Sequence, residues 1–260
     1  MLEILMATMH RKNISEIDWI YKNIQTPILL INQSDFSSLE IQDNIRMISC
    51  IERGSSNSRN MALNNAIGDI CLIADDDVGY VDNAEEIINC AFRDNPSADI
   101  ITFQIITPEG KPFNKGYPVH KQWHNSRSIL RCASIEIAFR KDSIIQAGIK
   151  LDVDFGLGSK YRVHDEIIFL KDALDNNLKL LYIPIPIVIH PAESSGTDFN
   201  DHLIVSKGAA FVRLFGYKGM FLNILFAIKK HAEYSNKYSF LGFLMKMFEG
   251  SIKYIREDLK

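Results

Sequence analysis

The chain has 260 residues and a mass of 29.6 kDa, enough for one large domain or for one domain with a helical appendage. Apolar residues make up 47% and charged residues 23%, a mixture that excludes a disordered chain. A net charge of −3 with a pI near 6.2 excludes a dedicated nucleic-acid binder, whose footprint is strongly basic. That balance conceals an asymmetry: from Asp201 onward there are ten Lys/Arg against five Asp/Glu, so a basic tail follows an acidic body.

In chain order, residues 3–8 read as a first strand and 15–23 as an amphipathic helix with Ser15 as its N-cap. Residues 28–31 form a second strand that ends in the polar cluster Asn32-Gln33-Ser34-Asp35, and 45–51 form a third, weaker one. A Ser/Gly loop over 54–58 leads to apolar positions at helical spacing over 59–67, and the run Ile70-Cys-Leu-Ile-Ala74 is a buried strand. This strand ends in three consecutive carboxylates, Asp75, Asp76 and Asp77. Strands alternating with helices predict a mostly parallel α/β sheet, and in such sheets ligands bind at the carboxyl edge. Clustered oxygen ligands there suit a hard divalent cation; the competing interpretation is a solvated acidic turn that caps the segment 81–92.

Further along, 84–92 read as a helix, 99–106 as a strand, 108–118 as a Pro/Gly loop, 134–139 as an alternating strand, and 141–147 as a short helix closed by Gly148. The glycine-bearing loop 152–162 precedes His164-Asp165-Glu166, which opens a helix running to Asn176. Carboxylates at that position also suit the helix dipole. Residues 178–189 are a strand interrupted by Pro184 and Pro186, which predicts an edge position. His190-Pro191 ends it, and the Ser/Gly-rich stretch 193–200 reads as a mobile loop. Cys50, Cys71, Cys90 and Cys132 have no C-x-x-C spacing and are expected to be free, mostly buried thiols. The amino terminus lacks a signal-peptide pattern, and no uninterrupted apolar run approaches the ~20 residues of a membrane span, so a cytoplasmic location is expected.

Several of these clusters stand in a familiar order. Gly54-x-x-x-Ser58-Arg59-Asn60, then Gly68-Asp69 and the strand ending Asp75-Asp76-Asp77, resemble the nucleotide-sugar half of family 2 glycosyltransferases of the GT-A fold, of the bacterial surface-polysaccharide type. The strand up to Arg140, the Ala-Gly turn, the loop Phe155-Gly-Leu-Gly158, the acidic pair and the terminal His-Pro resemble the acceptor half. The resemblance covers residues 3–192 and implies a catalytic domain over 1–200, with a nucleotide-sugar half (1–107) and an acceptor half (108–200), followed by a basic, aromatic-rich helical tail over 201–260.

The activity it implies is inverting transfer of a sugar from a nucleoside-diphosphate donor, expected to be UDP-linked, to a saccharide or lipid-linked oligosaccharide, with Mn²⁺ or Mg²⁺. It also implies residue roles. Thr8, Asp35 and Arg59 fall where the family holds the nucleotide, and Asp75 and Asp76 accompany them in the Asp-x-Asp motif. Asp77, Asp75 and His190 are the metal candidates. The family's acidic pair is commonly Glu-Asp, whereas here it is Asp165-Glu166. Alignment of the pair puts Glu166 at the base and Asp165 beside it, an assignment that the reversal leaves open.

Two other readings stay in view: a sugar nucleotidyltransferase, whose glycine-rich phosphate loop Ala7-Thr-Met-His-Arg11 does not supply, and a catalytically silent sugar-binding or scaffold protein that keeps the fold. Outside the motifs, Trp123, between His120 and His124, offers an indole either for stacking on a sugar or for packing. Phe211, Leu214, Phe215, Phe221, Leu222, Ile224, Leu225, Phe226, Phe240, Leu241, Phe243, Leu244, Met245, Met247 and Phe248 with interspersed Lys and Arg fit three fates for the tail: a peripheral position on the inner face of the cell membrane, packing on the catalytic domain, or self-association.

Overall fold

The structure is a computed structural model, and it describes residues 1–17, 25–191 and 199–257. Ten strands form one sheet: β1 Leu2–Met9, β2 Ile28–Gln33, β3 Ser38–Gln42, β4 Ile45–Cys50, β5 Ile70–Asp75, β6 Gly79–Tyr80, β7 Ile100–Ile106, β8 Gln122–Trp123, β9 Ile137–Arg140 and β10 Leu180–Ile189. Their order is β3-β4-β2-β1-β5-β9-β7-β10-β6, with β8 also on β10. β4, β2, β1 and β5 are parallel neighbours, as are β7 and β10, while β9 lies between β5 and β7 antiparallel to both.

Both faces of the sheet are covered, which explains why its central strands are continuous apolar runs rather than alternating ones. On one face Ile4, Met6, Leu30 and Leu72 pack with Ile88 and Phe92 of helix α2 (Ala84–Asp94), which follows α1 (Ser55–Asn65) in the chain. On the other face Leu5, Leu29, Ile31 and Ile73 pack with Ala62 and Leu63 of α1. After the short α3 (Lys141–Gln146), helix α4 (Asp165–Asp175) adds Phe169, Leu170 and Ala173 to that second core.

The remaining chain forms α5 (Asp201–Phe215), α6 (Gly219–Lys229), α7 (His231–Tyr234) and α8 (Phe240–Glu257). By length and composition the run Asp201–Lys229, which contains an 18-residue window of mean hydropathy 1.4, is apolar enough to cross a membrane, a feature that the search for uninterrupted apolar runs misses. The fold divides it at Gly216, whose φ of 59° ends α5. Phe226 of α6 returns to Phe211 of α5, so the two helices form a hairpin. α5 and α8 cross closely because Gly208 and Gly250 carry no Cβ: one at either position would collide with the backbone of Met247 or Val205. Ala209, Ala210, Val212 and Tyr254 then bury Phe155, Tyr161, Ile167 and Ile168, and Arg213 ties α5 to Asp152 and Asp172 at 2.7 Å.

Several expectations need correction. Strand β3 was not foreseen, nor were the two-residue strands β6 and β8. α1 begins at Ser55 rather than at Arg59, and 134–136 is a 3₁₀ turn that precedes β9. Ser15 lies inside a 3₁₀ turn, Ile14–Glu16, and caps no helix there; the rest of the helix expected over 15–23 falls largely outside the described residues, as does most of the loop expected over 193–200. β10 is one strand with register shifts around its prolines, flanked on one side by β7 and on the other only by the short β8 and β6. Cys50, Cys71 and Cys132 are buried free thiols, and Cys90 is partly exposed.

Candidate active site at the carboxyl edge of the sheet

A cleft of about 810 Å³ opens where β1, β5 and β10 end, and its lining joins Thr8, Asp75, Asp76, Asp77, Asp165 and Glu166. The three aspartates leave β5 in different directions. Asp75, the last residue of the strand, accepts from Arg59 Nη2 at 2.9 Å. Asp76 turns back to β1, where it accepts from Thr8 Oγ1 and from Arg11 Nη2, the latter at 3.1 Å. Asp77 is the open one: its side chain is 68% exposed and faces His190 Nε2 at 3.6 Å.

Arg59 joins the two sides of the cleft. It projects from α1, whose first turn is fixed by Ser56 Oγ donating to the Phe155 carbonyl at 2.7 Å and by Ser55 Oγ donating to Asp165 at 3.2 Å. Arg59 Nη1 donates to Asp165 Oδ2 at 2.5 Å while Nη2 holds Asp75, so one buried guanidinium spans the strand end and the start of α4. Burial alone would lower its pKa, but Asp165, Asp75 and Glu166 offset that and raise it above the ordinary arginine value. Gly156 makes the junction possible. With φ of +103° it takes a backbone that side chains avoid, and a Cβ there would strike Ser55 Oγ and the Asp165 carboxylate.

Asp165 is thus buried and fully engaged, whereas Glu166 beside it is only partly buried and lines the cleft. Desolvation first, and the Asp165 charge second, push the Glu166 carboxyl well above the usual carboxylate range. His164, which precedes the pair with φ of 65°, is held neutral by burial and by nearby Lys207, its pKa lowered to about 3.

His190 follows β10 and packs edge-on against Phe113 at 5.6 Å. Its Nδ1 lies 2.7 Å from the Pro191 carbonyl. A carbonyl only accepts, so Nδ1 carries the hydrogen and Nε2 is the ring atom that faces Asp77. An imidazole nitrogen and a carboxylate oxygen are atom types that can ligate a divalent cation. Among the described residues, however, no three His, Cys, Asp or Glu side chains converge. Of the expected set, Asp77 and His190 face each other, while Asp75 is held by Arg59 through Oδ1.

Two further expectations do not reach the cleft. Asp35 is 91% exposed and lies outside the lining; it pairs at 2.6 Å with Arg53, which does line it. Trp123 sits on β8 opposite Leu181, and lines a separate hollow with Leu178 and Leu180. His124 is bonded to Thr102 and Ser128, and burial lowers its pKa to about 4. Conversely, the cleft includes Arg53, Ser55, Arg162, Leu203 and Lys207, which the sequence did not mark. Arg53 and Ser55 stand within a few residues of recognised motifs, but Leu203 and Lys207 come from α5, beyond the expected end of the catalytic domain.

A mostly parallel sheet with an acid-ended central strand, helices on both faces and helices after the last strand is the GT-A arrangement of α/β proteins. Among solved structures it is similar to S. aureus TarS, with a TM-score of 0.60 at 14% identity over 92% of this chain and 46% of that one. TarS 1-349 matches with a TM-score of 0.60 at 13% identity, over 98% of this chain and 82% of that one. Its complex with UDP-GlcNAc gives 0.60 at 14%, over 98% and 80%. The chain therefore spans about half the length of the longer TarS chain, and at these identities the likeness concerns the fold. No protein-family model and no curated protein sequence matches the chain.

Proposed function

We propose that the chain is a family 2-type GT-A glycosyltransferase that moves one sugar, with inversion, from a UDP-sugar to a hydroxyl of a saccharide or lipid-linked oligosaccharide. The observation that carries this reading is the cleft in which the acid turn after β5 faces the acid pair opening α4, with Arg59 bonded to both. The UDP-GlcNAc and UDP complexes of TarS support a UDP-linked donor. In this scheme residues 1–107 hold the donor and 108–200 the acceptor.

Thr8, Arg11 and Asp76 form the bonded group on which the nucleoside rests, and Arg53 carries the exposed Asp35 at its margin. Glu166 takes the proton of the acceptor hydroxyl; its raised pKa makes it a stronger base than an ordinary carboxylate once ionised. Asp165, fixed by Arg59 and Ser55, orients the start of α4 and keeps a negative charge beside Glu166. Asp77 and His190, a carboxylate and an imidazole that face each other, fit Mn²⁺ or Mg²⁺, and a cation held there neutralises charge on the departing diphosphate. Arg59 acts through the two carboxylates it holds.

The tail adds a location. Phe221, Leu225 and Ile228 form a stripe on α6 that is 72%, 61% and 59% exposed, and Leu241 and Met245 on α8 are similarly bare. Lys218, Lys229, Lys230 and Lys253 accompany these helices. An apolar stripe with lysines fits the anionic inner face of a membrane, where each lysine contributes about 1 kcal/mol. Flotation with phosphatidylserine vesicles but not with neutral ones is the expected result, lost in Phe221→Glu; concentration-dependent dimerisation without flotation assigns the stripe to self-association.

The enzymatic reading is tested by thermal denaturation with nucleoside diphosphates. UDP at about a hundred times its Kd stabilises by about 2.7 kcal/mol, a Tm rise of roughly 5–10 °C for a chain of this size. That rise should require Mn²⁺ or Mg²⁺ and disappear in Asp77→Ala, and UDP should be released from a UDP-sugar on turnover. Binding without turnover of any donor leaves a sugar-nucleotide-binding protein; no binding at all removes the proposal.

A further inference from the structure

The cations around the cleft divide into two groups. Arg11 is neutralised by Asp76, Arg53 by Asp35, and Arg59 by Asp75 and Asp165. Lys207 on α5 and Arg162 in the preceding loop are different: among the described residues neither side chain donates a hydrogen bond or forms an ion pair. The Lys207 ammonium stands over the face of the Phe226 ring, 5.5 Å from its centroid. The two residues belong to one rim, because the Arg162 N–H donates at 3.1 Å to Oγ of fully buried Ser206, the residue before Lys207. Half-buried Lys207 and exposed Arg162 line the same cleft as His164 and Glu166, and Lys207 acts electrostatically on both; His164 is held neutral and does not compete for an anion.

An ammonium taken out of water without a partner is costly, and burial lowers the pKa of Lys207 although Glu166 counters it. Such an arrangement is explained by a negative charge that arrives with a ligand. Its position indicates which ligand. A base must come within about 3 Å of the proton it abstracts, so groups that adjoin Glu166 meet the molecule whose hydroxyl reacts there.

We propose that Lys207 and Arg162 form an anion-recognition site on the acceptor side of the cleft, for a phosphate or carboxylate carried by the acceptor close to the reacting hydroxyl. The word acceptor rests on the glycosyl-transfer reading; the cation pair does not. The site makes the helical tail part of the specificity machinery, since α5 supplies the ammonium and α6 the ring beneath it.

The test titrates inorganic phosphate into the whole chain, with and without saturating UDP and Mg²⁺. Phosphate should bind with UDP present. A charge-assisted hydrogen bond contributes about 1.5–3 kcal/mol, so Lys207→Met should weaken phosphate about tenfold to a hundredfold. Lys207→Arg should restore most of it, Arg162→Gln should weaken it less, and UDP affinity should be unchanged in all three. Thermal melts confirm that each variant is folded, and Lys207→Arg keeps the comparison valid if Lys207→Met is not. Absence of phosphate binding by the native chain, or native binding by Lys207→Met, overturns the site. Loss of UDP affinity in Lys207→Met also overturns it, and assigns the ammonium to the donor diphosphate. A native chain that binds no UDP overturns the glycosyl-transfer reading instead, and the titration without UDP still decides the cation pair.

Discussion

Arg59→Met tests the joint between the two sides of the cleft. Methionine keeps the apolar stem and the helix propensity of the position, so the change removes chiefly the guanidinium. The two ion pairs it breaks are unequal. Asp165 and Arg59 are buried, with side chains only 8% and 9% exposed, and breaking a buried pair from one side costs about 3–5 kcal/mol. Asp75 is 43% exposed, and solvent screening leaves that pair within about 0–1 kcal/mol. The expected loss is therefore about 3–5 kcal/mol, set almost wholly by Asp165, against a total stability of about 5–15 kcal/mol. Urea denaturation should show an unchanged slope and a midpoint lower by about 1–2 M. The decisive measurement is the double-mutant cycle with Asp165→Asn, which should give a coupling of about 2 kcal/mol or more. Coupling below about 0.5 kcal/mol would mean that Arg59 does not hold Asp165, and the account of the site as two sides joined through one guanidinium would fail.

The acid pair separates by activity: Glu166→Gln should retain UDP binding and lose transfer by about 10²–10⁴-fold, whereas a larger loss in Asp165→Asn than in Glu166→Gln would reverse the assignment. Because the Glu166 pKa is raised, a base in that role is mostly protonated below it, so kcat should rise with pH through that raised value; a flat profile from pH 6 to pH 9 argues against it. Glu136, buried beside a separate cavity of about 250 Å³, has its pKa pushed to about 8 by desolvation, despite a 2.6 Å hydrogen bond from Tyr117. Its folded pKa exceeds its unfolded one, so the stability it contributes is complete below about pH 4.5 and is lost as pH rises toward 8, by several kcal/mol on the order of 1.4 per unit; Glu136→Gln should thus raise Tm at pH 8 and leave it nearly unchanged at pH 4. Gly208→Ala should lower stability by more than about 1 kcal/mol in melting experiments, since the α5–α8 crossing must open to admit its Cβ.

The parts of the fold that were legible in the sequence are those with a local cause. β5 is buried on both faces, so it reads as an unbroken apolar run, and its acids could be placed at the correct edge of the sheet. Strand β3 is exposed along nearly its whole length and carries no such run, and β6 and β8 are too short to have a period. The start of α1 was hidden for a different reason. Ser55-Ser-Asn-Ser58 has the composition of a loop, and it is helical because Ser55 and Ser56 bond to Asp165 and to the Phe155 carbonyl about a hundred residues away. Likewise Asp75 stands two residues from Asp77 in sequence but turns to a different partner, because Arg59 reaches it from another element.

The tail shows the same division most clearly. Its composition disclosed helices, aromatic residues and positive charge, all properties of single segments. Its relation to the cleft depends on where α5 crosses α4 and α8, and that depends on two glycines, an Arg213 clamp and a buried serine whose meaning is only spatial. Leu203 and Lys207, one helical turn apart, face the cleft, while Phe221, Leu225 and Ile228 on the returning α6 face outward. The outer stripe therefore lies on the same helical unit that brings Lys207 to the cleft. Under the proposed function, this connection lets the tail hold the enzyme against a membrane while it helps to read the charge of the molecule being glycosylated there.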